Sequence, residues 1–124
     1  MKIYVFCNQK DRSRAAFNEF IPLVKEFGYD VVEEFSGDED LLACIGGDGT
    51  FLSFVHKCGF PGIPIIGINT GHLGFFQEAL PTDLRETMTY ISKGEYHLQN
   101  ITPVKARVIT RRGEFLRTGL NEIV

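Results

Sequence analysis

Cysteine is scarce in this chain. Its three residues, Cys7, Cys44 and Cys58, make an odd count with no CxxC pair. They offer no disulfide framework. Cys7 and Cys44 fall inside apolar runs and read as small buried hydrophobes in a reducing, cytoplasmic setting. Neither sign of charge dominates: 13 Lys and Arg stand against 16 Asp and Glu, for a net −3. That removes any global electrostatic case for nucleic acid or an anionic membrane. It leaves room for a small anionic ligand, because local backbone N–H groups hold a phosphate whatever the net charge. Met1-Lys2 leads straight into a strand-like run, so no signal peptide is expected. The longest stretch without a charged residue, Cys58 to Gln77, has the length of a membrane span. Its glycines, Pro61, Pro64, Asn69 and His72 break the helix a span requires, and it reads as loop, buried strand, loop. His56, His72 and His97 have neither HxxxH nor HxH spacing, which argues against zinc; a loop hydrogen bond suits His72 better. GxxxxGK[ST] does not occur, nor does GxGxxG after the first strand, so neither a P-loop nor a Rossmann fingerprint is present. Repeats and low-complexity tracts are also lacking.

What is present is an ordinary globular composition, 44% hydrophobic and 23% charged. At 124 residues it suffices for one domain with a real core. Lys2–Cys7 is a nearly continuous apolar run, as in a strand covered on both faces. From Ser13 to Phe27 the apolar residues Ala16, Phe20, Leu23, Val24 and Phe27 keep helical spacing, with Gly28 as a stop. Pro22 inside that run predicts a kink or a restart. Asp30–Phe35 reads as a second strand near an edge, Leu41–Ile45 as a third and Ile63–Ile68 as a fourth with Pro64 near its start. Helices are expected over Thr50–Lys57 and over Thr82–Lys93, the latter with Thr82 as N-cap and Gly94 just past its end. Buried strands alternating with helices predict an α/β fold, an open, mostly parallel sheet flanked by helices, over residues 1–99. The pattern changes near Asn100. Val104–Thr110 and Phe115–Val124 read as strands around a turn, in a basic stretch carrying Lys105, Arg107, Arg111, Arg112 and Arg117. Residues 100–124 are therefore expected to begin a β-rich second domain.

Chemistry concentrates at Gly46-Gly47-Asp48-Gly49-Thr50, between the third strand and the helix after it. In open α/β sheets ligands sit beyond the carboxyl ends of strands. Gly46 and Gly47 let a ligand approach the main chain, and the following helix aims its N–H groups and positive dipole end at the loop. That combination suits a phosphate. Asp48 is the odd member, because a carboxylate repels phosphate. It makes sense as the holder of a divalent cation or as the base that takes a proton from an attacking hydroxyl, and both roles point to phosphoryl transfer. The competing reading is that Asp48 or Thr50 merely N-caps the helix. A second glycine-rich loop after the fourth strand presents Asn69, Thr70 and His72 as polar groups. Phe75 and Phe76 there either offer a ring face to a base or nicotinamide, or lie in the core beneath the loop.

The five-residue loop resembles the motif shared by NAD kinases, diacylglycerol-type lipid kinases and, more loosely, phosphofructokinases. In that superfamily the glycines cradle phosphate and the aspartate serves as general base or metal partner. The run Gly67-Ile68-Asn69-Thr70-Gly71-His72-Leu73-Gly74-Phe75-Phe76 resembles the G-[IV]-N-x-G-x-L-G-F segment of NAD kinases. The Gly-Thr-Gly-Asn loop of the lipid kinases does not occur. Gly119-Leu120-Asn121-Glu122 resembles the Asn-Glu or Asn-Asp pair of the same family.

The resemblance implies transfer of a phosphoryl group from ATP, or from polyphosphate, to the 2′-hydroxyl of NAD, giving NADP. It implies that the loop from Gly46 to Thr50, with Asn69, contacts nucleotide. Asp48 would accept the hydroxyl proton with Mg²⁺ or another divalent cation nearby. Phe75 would lie at the NAD site, and Asn121 and Glu122 would orient the adenosine. It further implies a homo-oligomer in the full-length protein. Members of the family continue into a larger β-rich domain with a further glycine- and threonine-containing motif, which these residues do not include. The 124 residues alone are therefore expected to lack part of the machinery. Two other classes compete: a lipid or sugar kinase built on the same loop, and a non-catalytic NAD(P)-binding module.

Overall fold

The side chains of KIYVFC alternate between two apolar layers, and that alternation organises the domain. The computed structural model of the protein describes residues 1–71 and 79–95, together with the backbone of 104–110 and 113–119. Strand β1 (Lys2–Cys7) turns Ile3 and Val5 to one face of a sheet and Tyr4 and Phe6 to the other. It lies between β2 (Asp30–Val32) and β3 (Leu41–Gly46), and β4 (Ile65–Asn69) lies outside β3. All neighbours are parallel, with Ile3 opposite Val31 and Leu41, and Gly46 opposite Asn69. The expected open parallel sheet is the one observed.

Helices cover the two faces unequally. Helix α1 (Asp11–Glu26) and helix α3 (Leu84–Ser92) share one face. There Ala16, Phe20, Leu23 and Val24, with Leu84 and Met88, pack on Ile3, Val5, Ala43, Ile45 and Ile68. Helix α2 (Asp48–Lys57) takes the other face, packing Phe51, Phe54 and Val55 on Leu42 and Cys44. The Phe54 ring stacks on Phe6 at 5.2 Å and on Tyr4 at 6.0 Å, and the Lys57 ammonium lies 5.3 Å from the centre of the Phe6 ring. Burying a side chain such as Phe54 completely contributes about 2–3 kcal/mol.

Each helix ends by the same device. The amide of Gly28 donates to the Lys25 carbonyl and that of Tyr29 to Val24, which satisfies the carbonyls a helix end leaves over. Gly59 and Phe60 repeat the pattern on His56 and Val55, and Gly94 and Glu95 repeat it on Ile91 and Tyr90. Gly28 has φ +88°, the left-handed conformation this ending requires.

Several boundaries differ from the sequence reading for physical reasons. Helix α1 runs through Pro22 without a restart. Pro22 is exposed, so water can donate to the carbonyl that proline leaves unserved. Strand β2 stops at Val32, and Phe35 instead packs its ring 6.1 Å from Tyr4. Thr82 is not an N-cap: Pro81–Asp83 forms a single 3₁₀ turn, and α3 begins after Asp83. Strand β4 starts at Ile65, one residue past Pro64. Strands β5 (Val104–Thr110) and β6 (Gly113–Gly119) pair antiparallel, with Thr110 opposite Gly113. Strand β6 starts at Gly113, two residues before the expected Phe115. Among the described residues no helix is long and apolar enough to cross a membrane.

Candidate functional site

Because all four strands run the same way, the loops after β1, β3 and β4 emerge at one edge of the sheet. The chain leaves β1 toward one face, into α1, and leaves β3 toward the other, into α2. Adjacent strands whose connections diverge open a crevice at their carboxyl ends, where α/β sheets bind ligands. Residues 46–50 lie at that point.

The first turn of α2 is made from the glycine-rich loop itself. Gly47 is the N-cap, in extended conformation and without any side-chain cap, and Phe51 N–H donates to its carbonyl at 3.0 Å. Asp48 is therefore the first helical residue and Thr50 the third. Neither caps the helix, which removes the competing structural reading. The amides of Gly49 and Thr50 have no acceptor within the helix, as in any first turn. The half-buried Asp48 carboxylate sits at the positive end of the helix dipole, where a negative charge is favoured by about 0.3–1 kcal/mol.

The glycines of this loop serve two purposes. A Cβ on Gly46 would lie 2.6 Å from Thr50 Oγ1, 2.7 Å from Thr50 Cβ and 2.8 Å from Asn8 Nδ2. Gly46 is thus required by the protein's own packing. Gly47 and Gly49 are different: a Cβ on either would meet nothing within 4 Å among the described residues. Among the described residues they line open space.

Hydrogen bonds tie the three loops together. Asn8 N–H extends the β1–β3 pairing by donating to the Ile45 carbonyl at 3.2 Å. Its side-chain amide donates to Thr50 Oγ1 at 3.1 Å, and its Oδ1 accepts from Lys10 N–H at 3.1 Å. From the β4 side, Thr70 N–H donates to the Gly46 carbonyl at 3.1 Å. The hydroxyls of Thr70 and Ser13, both buried, lie 2.6 Å apart. Asn69 is buried as well, and its Oδ1 accepts from Gly71 N–H at 3.0 Å, so this side chain shapes the second loop. Gly71 comes close to Gly47: a Cβ on Gly71 would stand 3.8 Å from Gly47 Cα.

Of the residues singled out from sequence, Gly46, Gly47, Asp48, Gly49, Thr50 and Asn69 gather at this edge. Phe75, His72, Asn121 and Glu122 lie outside the described residues. Asn8 and Ser13 were missed. Asn8 follows an apolar strand at its carboxyl end, a usable signal only once the strand order is known. Beside them, the Cys7 thiol donates to the Asn8 carbonyl at 3.1 Å, and burial pushes its pKa up against the pull of Arg14. Among the described residues no three His, Cys, Asp or Glu side chains group to hold a metal ion.

Comparison with known proteins bears on this geometry. Residues 6–96 match the family model described as ATP-NAD kinase N-terminal domain. An NAD kinase of Finegoldia magna is 33% identical over 126 residues, a match that covers 100% of this chain and 45% of the relative. Two crystal structures share the fold. An NAD kinase from Archaeoglobus fulgidus, in complex with ATP, superposes with TM-score 0.69 at 21% identity over 92% of this chain and 45% of its own. Yeast NADH kinase, complexed with NADH, gives TM-score 0.79 at 16% identity over 98% and 47%. The chain thus spans about half the length of the proteins it matches, and with its family model covering most of its residues it belongs to the NAD kinase family.

Proposed function

We propose that the chain forms the phosphoryl-donor half of an enzyme that transfers a phosphoryl group from ATP to the 2′-hydroxyl of NAD, giving NADP. The observation that carries the reading is the convergence of the β1, β3 and β4 loops on the first turn of α2, with Asp48 in that turn. Gly47 and Gly49 leave the backbone open there, and the Gly49 and Thr50 amides supply donors to phosphate oxygens. Asp48 accepts the proton of the attacking hydroxyl. The archaeal relative solved with ATP and the yeast relative solved with NADH support the two substrates. Polyphosphate as a second donor belongs to the same proposal.

A divalent cation such as Mg²⁺ fits this site only as a metal carried in with the nucleotide. One carboxylate beside a phosphate cradle is the usual protein share of such a site, and no protein cage is present among the described residues. When bound, it would be held by Asp48 and the donor phosphates and would neutralise charge on the transferred group. Phe75 against the NAD ring and Asn121 with Glu122 on the adenosine complete the proposal, as do a second domain starting near residue 100 and a homo-oligomer of the full-length protein. The change from parallel sheet to antiparallel hairpin supports that boundary. The thiols of Cys7, Cys44 and Cys58, none of them in a disulfide, support a reducing, cytoplasmic setting.

The test is NADP formation from NAD, ATP and Mg²⁺ by the full-length gene product, run beside these 124 residues. Asp48→Asn is expected to lower kcat by about 10²- to 10⁴-fold, or roughly 3–5 kcal/mol of barrier. A variant within about threefold of wild type would remove Asp48 from the role of base. Absence of NADP from a folded full-length protein would overturn the assignment of the acceptor.

A further inference from the structure

Asn8 lies outside every glycine-rich string, yet its side chain makes a contact with chemical direction. The Lys10 backbone N–H can only donate, so the Asn8 atom that faces it must be the carbonyl oxygen Oδ1. The other end of the amide, Nδ2, then faces Thr50 Oγ1 and donates to it. Thr50 is thereby fixed as the acceptor in this pair. Its own hydroxyl proton has no acceptor among the described residues, although the side chain is half-buried at the third position of α2. A half-buried hydroxyl that accepts one bond and whose proton has no acceptor among the described residues is a donor in waiting. Gly46 fits the same scheme, since a Cβ there would occupy the space in which Asn8 and Thr50 meet.

We propose that Asn8 is a positioning residue for the phosphoryl donor: by donating to Thr50 Oγ1 it commits the Thr50 hydroxyl proton to an oxygen of the bound polyphosphate chain. The inference rests on the reading of this edge as the donor site and adds to it a residue from the β1–α1 corner. An asparagine is suited to the task. It is neutral beside an anion, and its Lys10 contact sets which end of the amide faces Thr50. An aspartate of the same shape would still accept from Lys10, but its second oxygen would draw the Thr50 proton to itself and place a charge beside the phosphates.

The experiment uses the full-length protein, with ATP affinity measured by calorimetry without NAD, and KM for ATP and NAD measured separately. Asn8→Asp is expected to weaken ATP binding and raise its KM by about tenfold or more, with KM for NAD within about twofold. In a Thr50→Val background, where no hydroxyl remains to be directed, the effect of Asn8→Asp should shrink to about threefold or less, the part due to charge alone. An undiminished effect in that background, or a change below about twofold in wild type, would overturn the proposal. Should Asn8→Asp fail to fold, Thr50→Val alone carries the test: about tenfold weaker ATP binding supports it and unchanged binding overturns it. The two readings fail separately. If wild type binds ATP but makes no NADP, the acceptor assignment falls while the Asn8 effect on ATP still decides the positioning role. If wild type does not bind ATP, the positioning role falls too.

Discussion

Replacing Gly46 with alanine probes whether this glycine is there for the protein or for a ligand. The added methyl carbon would stand 2.6 Å from Thr50 Oγ1, 2.7 Å from Thr50 Cβ and 2.8 Å from Asn8 Nδ2. All three are well inside van der Waals contact. The Asn8 amide is the end of a side chain and can swing away, giving up its bond to Thr50. Thr50 Cβ belongs to a helix whose buried face is locked by Phe51, Phe54 and Val55, so it can retreat only by moving α2. Overpacking of this kind costs about 1–3 kcal/mol, and loss of the Asn8–Thr50 hydrogen bond adds about 1 kcal/mol. With a urea dependence of about 1–3 kcal/mol/M for a domain of this size, the midpoint of unfolding should fall by about 1 M or more. Gly49→Ala is the control. Among the described residues it has open space around it, and it lies inside α2, so it should leave stability unchanged or raise it by up to about 1 kcal/mol, while filling space that the proposed function gives to phosphate. Equal midpoints for wild type and Gly46→Ala would refute the division of the loop into packing and ligand-facing glycines.

Two more outcomes follow from buried polar contacts. Ser13→Ala leaves the buried Thr70 hydroxyl without its 2.6 Å partner and should cost about 1–3 kcal/mol by urea denaturation. Adding Thr70→Val should recover part of that loss, and strictly additive costs would show that the pair is not coupled. The Glu39 carboxyl is only 5% exposed; burial pushes its pKa up, but the N–H groups of Ser36 and Gly37 and the Ser36 hydroxyl outweigh burial and hold it below the ordinary value. A lowered folded-state pKa gives stability that is present above the unfolded value of about 4.3 and lost as pH falls through the folded one. The urea midpoint should therefore decline as pH drops from about 5 to 3, and Glu39→Gln should flatten that decline. Identical slopes would show that the Glu39 bonds carry no such linkage.

Much of this fold was legible because its strands are apolar on both faces and its helices keep strict spacing. KIYVFC and LLACI announced buried parallel strands, and the string from Gly46 to Thr50 marked the passage from β3 into α2. The errors came where tertiary contacts override local signals. Pro22 did not divide α1, because Ala16, Phe20, Leu23 and Val24 hold both halves of the helix on one core. Phe35 left the strand pattern to pack its ring against Tyr4. Gly46 looked like its neighbour Gly47, and only the approach of Thr50 and Asn8 separates them. Asn8 and Ser13 could not be found from sequence, because their partners lie 42 and 57 residues away. Nothing local in the chain states that β1 sits next to β3.

Those separations also set an order of events during synthesis. A chain made from its amino terminus brings out Asn8 first, yet Asn8 has no bond to Thr50 until β3 and α2 have followed, and Ser13 has none to Thr70 until β4 is complete. Closing loops of that length is a cost that must be met before the contacts reward it. The cradle therefore cannot exist in a half-made domain, and a nucleotide that binds it binds only chains that have finished assembling this sheet. Ligand in excess then holds the assembled form by mass action. In a growing chain, the proposed phosphate site would report that the first seventy or so residues have folded.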